Sequence, residues 1–131
     1  MTNTPLAGLR VIELGTHVAV PSSARLLAEY GADVIKVESL IGDDWRRSGL
    51  NVNLCIDDYS NPVFTIQNNG KRLIALDLKT EKGREVLLKL LQDADVFVSN
   101  VRMNSLKKLG LDYDTLKDRF PELIYCHFTG Y

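Results

Sequence analysis

A strand, a short helix and a second strand follow one another near the start of the chain, and this pattern constrains the fold more than any other. Residues 9–14 are mostly apolar and include two β-branched side chains, as is typical of a buried strand. Pro21 suits the first turn of the following helix, which Gly31 ends. Residues 33–38 form the second strand. A βαβ unit nearly always makes a right-handed crossover onto a parallel sheet, so this segment predicts an α/β fold.

The alternation of strands and helices continues along the rest of the chain. Three further runs have the length and apolar character of buried strands, at residues 72–77, 95–99 and 123–128. Short helices are predicted at residues 61–67, 104–108 and 114–119. This order predicts an open, largely parallel sheet of Rossmann type with helices on both faces.

A longer helix is predicted after the third strand. Thr80 is its predicted N-cap, because a threonine hydroxyl can accept a hydrogen bond from a free N–H group of the first turn. The helical spacing places four apolar side chains on one face: Val86, Leu87, Leu90 and Leu91. Residues 39–61, in contrast, are predicted to form a long loop, because residues 42–47 and 51–58 show neither helical nor strand periodicity. Loops of this length inside a compact domain are usually functional or mobile.

Size and composition fit one globular domain. The chain has 131 residues, of which 45% are hydrophobic and 25% charged, which argues against disorder or collagen-like repetition. The net charge of -1 gives no global attraction to nucleic acid or to an anionic membrane. No apolar run approaches the ~20 residues that span a bilayer, and residues 1–8 lack the features of a signal peptide. We therefore expect a cytoplasmic protein with neither nucleic acid nor a membrane as its partner.

Cysteine and acidic residues do not indicate a metal centre. Cys55 and Cys126 are isolated in the sequence, so two reduced thiols are expected rather than a metal-binding pair or a disulfide. The acidic pairs at residues 43–44 and 57–58 are expected to be solvated in polar loops. The sequence therefore predicts no metal site.

The connection after the first strand, residues 15–21, is the first candidate ligand site. A helix that begins at the end of a strand presents free N–H groups and the positive end of its dipole to an anion. Neither the GxGxxG nor the GxxxxGK[ST] pattern is present, and on local sequence alone a connection without a ligand is favoured. His17 is a candidate general base or acyl contact, and a histidine ring satisfied by backbone groups is the favoured alternative.

Basic and polar side chains near two other strands are further candidates. Lys71 and Arg72 precede a strand, where binding of a phosphate and simple solvation are equally good interpretations. Asn100 follows the fourth predicted strand, at the edge of the sheet where ligands bind. Asn100 suits an adenine or an amide, Lys108 suits a phosphate, and Met103 suits an apolar wall, although methionine more often fills a core.

Several blocks of the sequence share the motifs and the order of one enzyme family. The most specific block is residues 26–38, LLAEYGADVIKVE. The other blocks run nearly from end to end, at residues 5–14, 42–46, 69–72, 76–79, 83–84, 95–102, 109–113 and 128–131. Together they resemble the family III CoA-transferases, which include formyl-CoA transferase and the 2-hydroxyacyl-CoA transferases of amino-acid-fermenting anaerobes. Residues 100–106 and 110–117 are most similar to the hydroxyacyl branch.

The resemblance implies a reaction in which CoA moves from an acyl-CoA donor to a carboxylic acid acceptor, with a 2-hydroxy acid favoured. In the family, an aspartate attacks the thioester to give a mixed anhydride, and an enzyme-bound CoA thioester then forms. CoA is thus expected as a substrate, with no tightly bound cofactor. The full-length protein is expected to form an interlocked homodimer.

The resemblance also implies that the chain is the amino-terminal part of a longer enzyme. The family's aspartate follows the motif that ends here at Tyr131, so no catalytic residue is assigned within the chain. We expect residues 1–131 to form a Rossmann-like, CoA-binding domain that is inactive alone. A stand-alone CoA-binding module without catalysis is the alternative, and an interaction scaffold is a third hypothesis.

The resemblance assigns contacts with CoA or the acyl group to a set of positions along the chain. These positions are His17, Val18, Ala19, Lys71, Arg72, Asn100, Val101, Met103, Lys108 and Leu109. Two departures from formyl-CoA transferase matter. Ser39 stands where that enzyme has an arginine that contacts phosphate, and Val18 stands where it has a glutamine near the reaction centre. The acceptor is therefore expected to differ from the small acid of that enzyme.

Overall fold

The computed structural model describes residues 4–49, 53–57 and 60–130. Within them, five strands form one sheet: β1 (Arg10–Leu14), β2 (Asp33–Glu38), β3 (Arg72–Ala75), β4 (Val96–Ser99) and β5 (Ile124–His127). The strand order is β3-β2-β1-β4-β5, and every neighbouring pair is parallel. The predicted open, parallel α/β sheet is confirmed. Tyr131 and parts of the predicted loop at residues 39–61 lie outside the described residues.

The helices alternate with these strands as the sequence pattern predicts. They are α1 (Ala19–Glu29), α2 (Pro62–Asn68), α3 (Glu81–Gln92), α4 (Met103–Leu109) and α5 (Tyr113–Leu116), with a short 3-10 helix at Asp44–Arg46. Helix α1 begins two residues before Pro21, which still lies in its first turn. No helix of the described residues is long and apolar enough to cross a membrane.

The two faces of the sheet carry separate cores, because alternate side chains of each strand point to opposite sides. Val11, Val34 and Val98 lie in a core that also contains Val20 and Ala24 of α1. The other face contains ten buried hydrophobic residues from the strands, from α3, α4 and α5, and from the segment before α5: Ile12, Leu14, Ile35, Val37, Leu87, Leu91, Phe97, Leu106, Leu111 and Leu116. Helices therefore cover both faces.

The predicted cap of α3 is confirmed, and one member of its predicted apolar face is wrong. Thr80 Oγ1 accepts a hydrogen bond from Gly83 N at 3.1 Å. Leu87 and Leu91 are buried, but Val86 is 38% exposed. The buried stripe is centred on Leu87 and includes Gly83, so it is rotated away from Val86.

Strand β5 forms one edge of the sheet and is anchored by an aromatic side chain. Tyr125 packs against Phe97, with ring centroids 5.4 Å apart, and its hydroxyl donates a hydrogen bond to Leu111 O at 2.9 Å. Burial, aided by the negative charge of Asp112, raises the pKa of Tyr125 to about 12. The neutral phenol is thus the form that the fold accommodates.

Candidate functional site

A cavity of about 670 Å³ opens at the edge of the sheet where the strands end. Its size lies within the ~300–1,000 Å³ typical of small-molecule sites. It is lined by the segments that follow β1, β2 and β3 and by one side of α4: residues 14–16, 38–43 and 76–79, with Val101, Ser105, Lys108 and Leu109. We call it the carboxyl-edge cavity. Parallel α/β sheets bind their ligands at this edge.

The walls of the carboxyl-edge cavity are largely apolar, and two exposed lysines lie among its lining residues. Leu40 and Ile41 are 69% and 76% exposed although they belong to the lining. Lys79 follows β3 and Lys108 lies in the last turn of α4. An apolar wall beside two exposed cations suits a ligand with an extended apolar part and phosphate groups.

Strands β1, β2 and β3 extend the sheet in one direction, whereas β4 and β5 extend it in the other, starting beside β1. Polar side chains connect the ends of β1 and β4 at this point. Asn100 Oδ1 accepts a hydrogen bond from Thr16 N at 3.0 Å, and Asn100 Nδ2 donates to Thr16 O at 2.9 Å. Ser99 Oγ donates to Leu14 O at 2.7 Å. The amide of Asn100 therefore binds the backbone of the connection after β1.

A second cavity of about 450 Å³ lies on the other side of the segment after β4. Its lining comprises residues 100–103 and residues 127–130. His127 Nε2 lies 2.8 Å from Val101 O. Val101 lines both cavities, so this segment separates them.

The segment of residues 15–21, which we call the β1–α1 segment, makes a sharp turn at His17. His17 has a φ of 66°, a left-handed conformation that strains a non-glycine residue by of order 1–3 kcal/mol. Its N–H donates to Asp43 Oδ1 at 3.3 Å, and its ring centroid lies 5.5 Å from that of Trp45. Val18 is the N-cap residue of α1, and its side chain makes no capping hydrogen bond to the first turn of the helix.

Below the β1–α1 segment lies a group of four buried charged side chains, Glu13, Lys36, Asp43 and Lys71, which we call the buried ion cluster. The side chains of Glu13, Lys36 and Lys71 are 0% exposed and that of Asp43 is 1% exposed. Glu13 lies between the two lysines, 2.8 Å from Lys36 Nζ and 2.6 Å from Lys71 Nζ. Two carboxylates and two ammonium groups balance in charge.

Each lysine of the cluster also binds the backbone of the β1–α1 segment. Lys36 Nζ donates to Gly15 O at 2.7 Å and lies 2.9 Å from Asp43 Oδ2, an ion pair without hydrogen-bond geometry. Lys71 Nζ donates to Pro21 O at 2.8 Å and to Asn68 Oδ1 at 3.0 Å. Burial lowers the pKa of Lys71, and the neighbouring Glu13 carboxylate opposes this shift.

The expectation that the acidic pair at residues 43–44 is solvated is wrong for Asp43. Asp43 is 3% exposed, and its Oδ1 accepts a hydrogen bond from Trp45 N at 2.9 Å as the cap of the 3-10 helix. Its own N–H donates to Glu38 Oε2 at 3.0 Å. Arg46 holds both oxygens of Glu38, at 2.7 and 2.9 Å, and these hydrogen bonds raise the pKa of Arg46. Among the described residues, no group of three or more His, Cys, Asp or Glu side chains is arranged to hold a metal ion.

The structure brings together some of the predicted site residues and separates others. Val101, Lys108 and Leu109 line the carboxyl-edge cavity, while Asn100, Val101 and Met103 line the second cavity. His17 and Val18 are exposed, and Ala19 is half-buried, at the start of α1. These residues all lie at the carboxyl edge of the sheet.

Lys71 and Arg72 lie away from both cavities. The amine of Lys71 is enclosed in the buried ion cluster, and Arg72 pairs with Asp33 at the start of β2, with Nη2 2.5 Å from Oδ2. That these two side chains contact a nucleotide stays a prediction. Leu76–Lys79 were not predicted as site residues, although they line the carboxyl-edge cavity; their position at the carboxyl end of a predicted strand was the available signal.

Comparison with known proteins gives consistent matches over nearly the whole chain. The model of a family described as CoA-transferase family III matches residues 6–131. A "(R)-2-hydroxy-4-methylpentanoate CoA-transferase" from Clostridioides difficile is 40% identical over 96% of this chain and 32% of its own length. A "Cinnamoyl-CoA:phenyllactate CoA-transferase" from Clostridium sporogenes is 39% identical over 95% of this chain and 30% of its own length.

A solved structure has the same fold. The crystal structure of a CAIB/BAIF family protein from Brucella suis superposes with a TM-score of 0.90 at 45% sequence identity, over 98% of this chain and 34% of that one. The chain thus spans about a third of the length of the relatives it matches.

Proposed function

Since the chain belongs to CoA-transferase family III, we propose that it forms the CoA-binding part of an enzyme that moves CoA from an acyl-CoA to a carboxylic acid. Residues 1–131 are then an amino-terminal, Rossmann-like domain of that enzyme. The observation that carries the proposal is the carboxyl-edge cavity, which has an apolar wall and two lysines at the ligand edge of a parallel sheet.

CoA has chemical parts that match this cavity. Its pantetheine arm and adenine ring suit the apolar walls formed by the leucines and by Val101, and its phosphates suit Lys79 and Lys108. The start of α1, at His17, Val18 and Ala19, has no side-chain cap and suits the thioester end of the ligand. The proposed contacts also include Leu109 on this cavity, Asn100 and Met103 beside it, and Arg72. Lys71 would act on the ligand through the backbone of α1, to which its amine donates at Pro21 O.

A 2-hydroxy acid is the proposed acceptor. The names of two relatives, at 40% and 39% identity, refer to a 2-hydroxy acid or to phenyllactate, which is itself one. The proposed mechanism is nucleophilic catalysis by a carboxylate, as the family resemblance implies: a carboxylate attacks the thioester carbon, the thiolate of CoA leaves, and the acyl group is held as an anhydride. That carboxylate belongs to the complete protein and is not assigned to a residue of this chain.

The complete protein is proposed to be a cytoplasmic, interlocked homodimer. Several large apolar side chains of the described residues are exposed, including Ile41, Ile66, Ile124 and Phe128. Apolar surface of this kind is usually covered by another part of a protein or by a partner.

Exchanging one of two adjacent lysines tests the proposed binding site. Lys108→Ala removes a cation from the cavity, and it should weaken CoA binding by the complete protein about ten-fold, as expected for one charge-assisted contact. Lys107→Ala is the matched control, because Lys107 is exposed on the same helix but does not line the cavity. Isothermal titration with CoA measures both. Equal affinities of the two variants would contradict the proposed site.

A transfer assay separates the enzyme from the alternative, a CoA-binding module without catalysis. The complete protein is incubated with an acyl-CoA and a panel of carboxylic acids that includes 2-hydroxy acids, and chromatography detects new CoA thioesters. Formation of a hydroxyacyl-CoA supports the transferase. CoA binding without transfer to any acid would favour the binding module.

A further inference from the structure

We propose that the buried ion cluster of Glu13, Lys36, Asp43 and Lys71 positions the β1–α1 segment for its ligand, with Lys71 as the principal positioning residue. This inference rests on the proposed function for the identity of the ligand, CoA. The placement of the segment itself can be measured without a ligand.

The cluster binds the β1–α1 segment at three separate points. Lys36 in β2 donates to Gly15 O, at the start of the segment. Lys71, which directly precedes β3, donates to Pro21 O in the first turn of α1. Asp43, from the loop after β2, accepts a hydrogen bond from His17 N in the middle. Three different parts of the chain therefore fix one ligand-facing segment.

Stability alone is a weak explanation for such a cluster. Removing two charges from water is costly, so apolar replacements of buried ion pairs are often as stable as the pair or more stable. Fully satisfied polar groups do, however, impose one geometry, because each donor requires its acceptor in place. Every donor of Lys71 has an acceptor within 3.0 Å: Glu13 Oε2, Pro21 O and Asn68 Oδ1. Lys71 is thus suited to fixing the backbone position of Pro21.

The β1–α1 segment needs such support. His17 holds a left-handed backbone conformation, with a φ of 66°, and such conformations persist only where the surroundings over-determine them. Helix α1 lacks a side-chain cap at Val18, so its start is not fixed by a capping hydrogen bond from its own sequence. Lys71 reaches this region from 50 residues away along the chain and supplies an anchor at Pro21.

The charge balance of the cluster allows a decisive set of variants. Lys71→Met removes one ammonium group with little change in volume and leaves the cluster with an excess negative charge. The double variant Glu13→Gln, Lys71→Met restores the balance, because Lys36 and Asp43 remain as a pair. Both variants lack the hydrogen bond to Pro21 O. Positioning and charge balance can therefore be separated.

Two quantities are measured in the complete protein for each variant. The first is CoA affinity, by isothermal titration. The second is the amide exchange rate of residues 15–20 relative to that of β5, by hydrogen–deuterium exchange; β5 is separated from β1 by β4 and contains none of the substituted residues. We expect the single and the double variant to bind CoA about ten-fold more weakly, and the relative exchange rate to rise about ten-fold, while the double variant recovers thermal stability.

Leu87→Ala is the control for a general loss of stability. Leu87 is 0% exposed in the core on the opposite face of the sheet, so its truncation destabilises the fold without touching the β1–α1 segment. It should leave both the CoA affinity and the relative exchange rate unchanged. A purely structural role of Lys71 predicts that Lys71→Met behaves in the same way.

Two results would overturn the proposal: recovery of CoA affinity by the double variant together with its stability, or an unchanged relative exchange rate in both variants. If Lys71→Met fails to fold, the same measurements on the charge-balanced double variant test the proposal. If the unmutated protein does not bind CoA, the proposed function fails, and the exchange rates alone decide whether the cluster holds the segment.

Discussion

Replacing Gly83 with alanine tests the close contact between α3 and the segment that lines the carboxyl-edge cavity. A Cβ atom at Gly83 would stand 2.0 Å from Asp77 O and 2.6 Å from Asp77 C. Non-bonded heavy atoms prefer a separation of about 3.5 Å, so the helix and the Asp77 carbonyl would have to move apart by about 1.5 Å. Thr80 resists this movement, because its N–H and its hydroxyl both donate to Asp77 O, at 3.1 and 2.8 Å.

Two opposing effects set the size of the change. Alanine is favoured over glycine inside a helix by about 1 kcal/mol. Overpacking costs about 1–3 kcal/mol, and the upper value applies here because the atom that must move belongs to the backbone. We therefore expect Gly83→Ala to lower the free energy of unfolding by about 2 kcal/mol, the opposite of what helix propensity alone predicts.

Urea denaturation of the chain, followed by far-ultraviolet circular dichroism, measures this difference. Glu85→Ala, at an exposed position of the same helix, is the control, and its free energy of unfolding should stay within about 0.5 kcal/mol of the unmutated value. A Gly83→Ala variant more stable than the unmutated chain would refute the reasoning, since propensity would then outweigh the contact with Asp77.

Two further predictions concern ionisable side chains. The pKa of Tyr125 is raised from 10.0 to about 12, so the contribution of its neutral phenol to stability is complete below pH 10.0 and is lost as the pH rises to about 12. Alkaline unfolding should therefore shift to higher pH in Tyr125→Phe. Circular dichroism at increasing pH would detect this shift. Arg46→Lys loses the paired hydrogen bonds to Glu38 and should lower the free energy of unfolding by about 1–2 kcal/mol in urea denaturation. Arg47→Lys, at an exposed neighbouring position, should have no effect. Equal urea midpoints of the two variants would contradict this prediction.

The order of the elements could be predicted because each strand is short, apolar and bounded by residues that favour turns. The second strand was predicted at residues 33–38, where the structure has Asp33–Glu38. The third was predicted to reach residue 77 but ends at Ala75, because Asp77 belongs to the turn that leads to the Thr80 cap. Periodicity thus identifies elements well, and their ends depend on hydrogen bonds that side chains make locally.

The place of the candidate site could be predicted from topology, and most of its lining could not. Parallel strands bring their carboxyl ends to one edge, which pointed to Asn100 and the segment after it, whereas Val101 and Leu109 came from the family resemblance. The lining by Leu76–Lys79 depends on how the chain turns after β3, which no short motif specifies. Phosphate binding and solvation were equally good interpretations of Lys71 beside a strand, and the resemblance predicted it near the nucleotide; the structure encloses its amine within the fold.

The buried ion cluster shows which sequence signal could have indicated the buried position of the Lys71 amine. Central strands of a parallel sheet are buried on both faces, so a charged residue within one must find a buried partner. Glu13 in β1 and Lys36 in β2 are such residues, and they stand directly opposite each other in the register of the two strands. One lysine balances one carboxylate, but Asp43 adds a second buried carboxylate. A second buried cation was therefore required, and Lys71 supplies it because α2 and the turn after it lead the chain back beside α1.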